Sequence, residues 1–162
     1  MLIRAVCRGA PHNSTLACMT NVRTDPVLGV LQFDAGLNWY EGKRFSDGEQ
    51  FAIYVSLDAF ENEEDAIATA RSVLPVLTDA ITAAKEFACD RLLDLKNGEW
   101  LNADEAPVSA KAFVSALKLQ SIGIYLDGDS EFHFKGGKLF SGHTVLVSWY
   151  RAKGFRDASI AG

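Results

Sequence analysis

Histidine, cysteine, proline and methionine are all scarce in this chain of 162 residues, with three, three, four and two copies. The cysteines Cys7, Cys18 and Cys89 are odd in number and widely spaced, without a Cys-x-x-Cys pair, which argues against a disulfide framework or a zinc knuckle. They read as reduced, mostly buried thiols of a cytoplasmic protein. Long apolar runs are missing as well. Arg4 and Arg8 interrupt the N-terminal apolar stretch before a secretory core of about 7–15 residues forms, and no run approaches the ~18 residues of a membrane helix. Neither a leader nor a membrane association is therefore expected, and Asn13-Ser14-Thr15 is an accidental glycosylation match. The basic excess that releases counterions from nucleic-acid phosphates is absent too: 16 Lys and Arg stand against 21 Asp and Glu, a net charge of -5. Gly-x-Gly-x-x-Gly, Walker, His-Glu-x-x-His and Gly-x-Ser-x-Gly signatures do not occur, so no cofactor and no metal is implied.

What is present is an ordinary globular composition, 48% hydrophobic and 23% charged, read as a single domain over 1–162 with residues 1–24 as an N-terminal strand or arm. Val27 to Asp34 and Trp39 to Phe45 are rich in β-formers. Phe51, Ile53, Val55 and Leu57 alternate with Ala52, Tyr54 and Ser56, the period of a half-buried strand. The period then changes. Asn62, followed by Glu63, Glu64 and Asp65, predicts an N-cap with acids against the helix dipole. From Ile67 to Leu95 apolar residues recur at steps of three and four, with a kink or break expected at Pro75 and a stop at Asn97-Gly98. Ser109 caps a short helix carrying Phe113, Val114 and Leu117. Period-two segments return at Ile122–Leu126, Phe132–Phe134, Val145–Trp149 and Phe155–Ile160. The expected fold is α+β: an antiparallel sheet of N-terminal and C-terminal strands, with one long, kinked or broken helix and one short helix packed on one face.

Three constellations invite a functional reading. Asp127-Gly128-Asp129-Ser130-Glu131 opens like a calcium loop, but Phe132 and Lys138 stand where that loop needs Gly and Glu, leaving a solvated hairpin turn. His133 and His143 lie near those acids. A two-residue loop at Gly136-Gly137 would set His133 against Phe140 and place the two imidazoles on opposite faces, which disfavours a shared metal. Thirdly, residues 25–65 hold ten acids against Lys43 and Arg44, a net of -8 (10 acids less 2 bases), while the rest of the chain sums to +3. A face of that charge would steer a basic protein toward it, with Glu61, Glu63, Glu64 and Asp65 as contacts and Trp39 and Tyr40 as aromatic anchors.

Leu28-Gly29, Trp39, Gly48, Asp58, the Leu92-Leu93 to Asn97 and Trp100 stretch, Phe113, Ile122-x-Ile124 with Asp127, and Phe140-Ser141-Gly142-His143 carry a resemblance in their order and spacing. From about residue 25 to Gly162 the chain resembles the bacterial domain-of-unknown-function family 2262. That resemblance implies a compact bacterial domain and conveys no activity or catalytic residue. The leading reading is a non-enzymatic module that binds a basic protein through an acidic face, as an immunity or accessory protein would. The alternatives are a small hydrolase using His143 with Asp127 or Asp129, and a small-ligand carrier with an apolar pocket under the sheet.

Overall fold

The computed structural model describes residues 22–58 and 62–162. The Asn13 sequon, Cys7, Cys18, Glu61 and most of the N-terminal arm lie outside those residues. Four strands open the described chain: β1 (Val22–Asp25), β2 (Gly29–Asp34), β3 (Trp39–Ser46) and β4 (Glu49–Ser56). Helices α1 (Glu63–Asp79), α2 (Ile81–Glu99) and α3 (Ala110–Ala116) follow. Strands β5 (Lys118–Ile124), β6 (Ser130–Lys135), β7 (Thr144–Tyr150) and β8 (Gly154–Ala161) complete one eight-stranded sheet whose spatial order is its chain order.

Two features overturn the expected antiparallel sheet with one long and one short helix. First, the sheet is mixed. Each meander is antiparallel within itself, but β4 and β5 pair in parallel, with Ile53 opposite Ile122 and Val55 opposite Ile124. The helical segment between them carries the chain back to the end from which β4 started, so β5 runs the same way. Alternation of apolar residues reports the face of a strand and not its direction, which is why the sequence pattern missed this. Second, there are three helices among the described residues, and the apolar stripe divides at Ala80 rather than at Pro75. Pro75 lies inside α1, where it removes one donor while the buried row Ala66, Ile67, Ala70, Val73, Leu74 and Leu77 continues past it. The turn of helix gives way at Ala80 (φ -88°, ψ 0°), whose N–H is shared between the Val76 and Leu77 carbonyls, each at 3.1 Å. Asn97-Gly98 does not end α2 either. The Asn97 side chain holds the following loop by donating to the Val108 carbonyl at 3.0 Å and accepting from the Val108 N–H at 2.8 Å, while the helix runs on to Glu99.

The caps at the other helix starts follow the side-chain chemistry. Asn62 accepts from the Asp65 N–H at 3.0 Å and Ser109 from the Ala112 N–H at 3.2 Å. Helix α1 packs against β4, α2 crosses β7 and β8, and α3 rests on α2. The face of the sheet turned to them supplies Leu31, Tyr40, Ile53, Val55, Ile122, Phe132, Phe134, Val145 and Val147 to the core, all buried. At about 1.5–3 kcal/mol for each large apolar side chain removed from water, this face dominates the stability of the fold. The opposite face carries no helix among the described residues, and its side chains are the intervening positions of the same strands.

Candidate functional site

The residues first singled out for hydrolysis are not brought together. Asp127 sits in a 3-10 turn (Leu126–Gly128) between β5 and β6 with φ 59°, a left-handed conformation that Asp tolerates. Asp129 accepts the Arg151 N–H at 3.1 Å, and both acids line a surface depression of about 560 Å³ with Tyr150, Arg151 and Lys153. His143 lies beyond the other end of β6. Six residues of strand separate the two ends by about 20 Å, so neither Asp can orient that imidazole. Its ring stands edge-on to Trp100 at 5.5 Å. The expected two-residue hairpin at Gly136-Gly137 is also corrected: β6 and β7 pair Lys135 with Thr144 and His133 with Leu146, leaving residues 136–143 as the loop. Leu139 and Phe140 from that loop are buried, and their packing outweighs the local preference for a tight turn.

Folding pairs four of the ten acids of the 25–65 stretch with arginine or lysine from outside it. Arg23 bonds Glu63 at 2.8 Å and Glu64 at 2.6 Å, Arg71 bonds the buried Asp25 at 2.6 Å, and Lys118 pairs with Glu49. Asp65 receives the Asn62 side-chain N–H at 2.8 Å. Tyr40 is wholly buried, its hydroxyl donating to Glu63 at 2.9 Å, so it anchors α1 to the sheet instead of presenting a ring to solvent.

Another concave surface, with aromatic walls, lies on the uncovered face above the parallel β4–β5 seam. Its floor is made of small residues, because Ala52 pairs with Ser121 and Tyr54 with Gly123. Its walls are aromatic. Trp39 packs on Tyr54 with ring centroids 4.7 Å apart, and Tyr125 folds back over Gly123, where a Cβ would come 2.8 Å from its hydroxyl. On the far side Glu131 and His133 project from β6, opposite Gly123 and Ser121. The recess encloses about 480 Å³ and is lined by Trp39, Tyr54, Ser121, Gly123, Tyr125 and His133, with Gln120 and Thr144 at its margin. The Trp39 indole N–H is enclosed and has no acceptor among the described residues.

Glu131 organises the polar side of the recess. The Tyr125 phenol faces it, Ser148 donates to it at 3.4 Å, and His133 Nε2 lies 3.5 Å away. Burial lowers the His133 pKa and outweighs the opposing pull of Glu131, so the imidazole is neutral at pH 7. Burial raises the Tyr125 phenol, reinforced by Glu131, and raises the Tyr54 phenol, reinforced by Glu41. Both phenols thus stay protonated beside carboxylates. No cationic side chain lines the recess, but Lys43 stands at the end of the Ala52–Ser121–His133 row that forms its floor, and Lys135 follows His133 one row further along the same face. Among the described residues no group of three or more His, Cys, Asp or Glu is placed to hold a metal, and no helix is long and apolar enough to cross a membrane.

Sequence reasoning found Trp39 and set His133 apart from the Phe132–Phe134 face, but missed Tyr54, Tyr125 and Glu131. A signal was available. Tyr54 and Glu131 occupy the off-core phase of strands whose alternation is clear, and only the β4–β5 register shows that those phases meet.

A family model described as "Uncharacterized protein conserved in bacteria (DUF2262)" matches residues 25–160. No curated protein and no solved structure is significantly similar to the chain.

Proposed function

The chain belongs to the uncharacterised bacterial family DUF2262, and on that premise we propose that it is a single-domain, non-enzymatic module that binds a basic protein through the uncovered face of its sheet. The observation that carries this reading is the recess over the β4–β5 seam, lined by Trp39, Tyr54 and Tyr125 and by no acidic or basic side chain other than His133, with Glu131 and the exposed Glu41 flanking it in the Tyr54–Gly123 row and Lys43 in the neighbouring row. Partly buried aromatics around small floor residues give a partner apolar contact area, and unneutralised carboxylates give it a preferred sign of charge. The acids at the start of α1 are weaker candidates, since Arg23 already occupies Glu63 and Glu64. Separation of His143 from Asp127 and Asp129 by the length of β6 weighs against the hydrolase reading.

Affinity capture from native bacterial lysate at low and high salt tests the proposal. Wild-type chain is compared with a Glu41→Lys/Glu131→Lys variant and with a Glu63→Lys/Glu64→Lys variant. A basic protein retained at low salt, released at high salt and lost with the first variant but not the second is the expected result. Equal retention by the first variant overturns it.

A further inference from the structure

The recess is narrower in its chemistry than a general docking face. Its walls are three aromatic rings, with Tyr125 lying over Gly123; its open floor is the Ala52–Ser121 pair, where a flat group can approach the sheet, and Glu131 flanks it from β6. Glu131 is about one third exposed and accepts from Ser148, which leaves part of its four lone-pair capacity open. Glu41 stands opposite Tyr54 on the other side, making no ion pair among the described residues. Negative ring faces and carboxylates together favour a cation. Of the cationic side chains, the guanidinium is planar, stacks on aromatic rings and presents paired N–H donors to a carboxylate, whereas an ammonium is a compact, strongly hydrated point charge. From this geometry we infer that the recess between Trp39, Tyr54 and Tyr125 is an arginine subsite, in which the guanidinium of a partner's side chain lies against the aromatic wall and donates to Glu131. His133, held neutral by burial, adds no competing charge at neutral pH. Lys43, at the end of the Ala52–Ser121–His133 row, and Lys135 beyond His133 place positive charge on that side, so the incoming stem enters from the Glu41–Tyr54 row.

The inference rests on the reading of this face as a binding surface, but its test does not need the partner. N-acetyl-arginine amide is titrated into ¹⁵N-labelled chain, and amide and indole shifts are followed. Its citrulline counterpart, equal in shape and uncharged, is the control. Saturable shifts at the Trp39 indole N–H and at Gly123 and Tyr125 are expected, with binding at least tenfold weaker for the citrulline probe. Glu131→Gln and Tyr54→Leu should each weaken the arginine probe by about 3- to 30-fold, the range expected for a cation over an aromatic ring. Both positions are on the uncovered face, and the same spectra report whether each variant is folded. Equal binding of the two probes, or arginine binding unaffected by both variants, overturns the subsite. Probe binding without capture of a basic protein retires the proposed function alone, and capture without probe binding retires the subsite alone.

Discussion

Asp25 offers the sharpest energetic test of the fold. Its side chain is 1% exposed, and its two oxygens have different tasks. Oδ1 accepts the N–H groups of Val27 and Leu28, each at 2.9 Å, which closes the β1–β2 turn. Oδ2 accepts from Arg71 Nε at 3.1 Å and Nη2 at 2.6 Å, which ties that turn to α1. Burial pushes the carboxyl pKa up, but these four donors outweigh it and bring it from 3.8 to about 2. The drop from 3.8 to about 2 corresponds to roughly 2–2.5 kcal/mol, because a tenfold change in acidity is worth ~1.4 kcal/mol. A carboxylate that is more acidic in the folded than in the unfolded chain stabilises the fold fully above pH 3.8 and loses that contribution as pH falls toward 2. Asp25→Asn keeps an acceptor for Val27 and Leu28 and removes the charge. Urea unfolding should therefore show the variant about 2 kcal/mol less stable at pH 7, with the gap closing between about pH 4 and pH 2. A gap that is absent at pH 7, or that stays constant down to pH 2, would refute the argument. Arg71→Met should move the Asp25 titration back toward the ordinary carboxylate range, since burial is then opposed by the two backbone donors alone.

Three further expectations follow from single contacts. Gly42→Ala places a Cβ 2.7 Å from Leu31 Cδ2 and 3.1 Å from Ile53 Cγ1 inside the core, and should cost about 1–3 kcal/mol in urea unfolding; an unchanged midpoint would show that the core yields without strain. The His133 imidazole should titrate below 6.5 by NMR, and Glu131→Gln should lower it further because the carboxylate favours the charged ring; a rise in the variant would contradict the assigned contact. Cys89 is buried with its thiol pKa raised by burial and then by Asp90, so alkylation at pH 8 should be slow in the native chain and fast in urea. Fast native alkylation would show that the α2–α3 packing opens readily.

Elements with one dominant local signal were legible in the sequence, and elements decided by distant partners were not. Asn62 and Ser109 were readable as caps because capping involves a side chain and an N–H three residues away. The alternation in β4 and β7 identifies a buried phase for the same reason. Pro75, in contrast, loses one hydrogen bond locally, while six buried neighbours in α1 hold the helix through it. The 136–143 loop likewise follows the burial of Phe140 against Trp100 and Phe113, both distant in sequence, and not the turn preference of two glycines. The parallel β4–β5 pairing belongs to the same class. The recess inherits that obscurity, because its walls come from β3, β4 and the residue following β5, and its carboxylate from β6.

Charge shows most directly how folding changes a sequence-level quantity into a functional one. Along the chain, residues 25–65 carry a net of -8, and a uniform acidic face would follow if neighbours in sequence were neighbours in space. They are not. Arg23, Arg71 and Lys118 all come from outside the stretch and meet Glu63, Glu64, Asp25 and Glu49. An acid already held by an arginine contributes to packing α1 on the sheet, and a partner would have to break that bond before using it. Among the described carboxylates without an ion pair to arginine or lysine are Glu41 beside Tyr54, and Glu131 beside Tyr125 and an uncharged His133. Both lie in the row of the uncovered face that runs through Tyr54 and Gly123. On the proposed binding face the available acidity is therefore set by which charges the fold leaves unpaired, and the parallel seam brings two of these to the flanks of one recess.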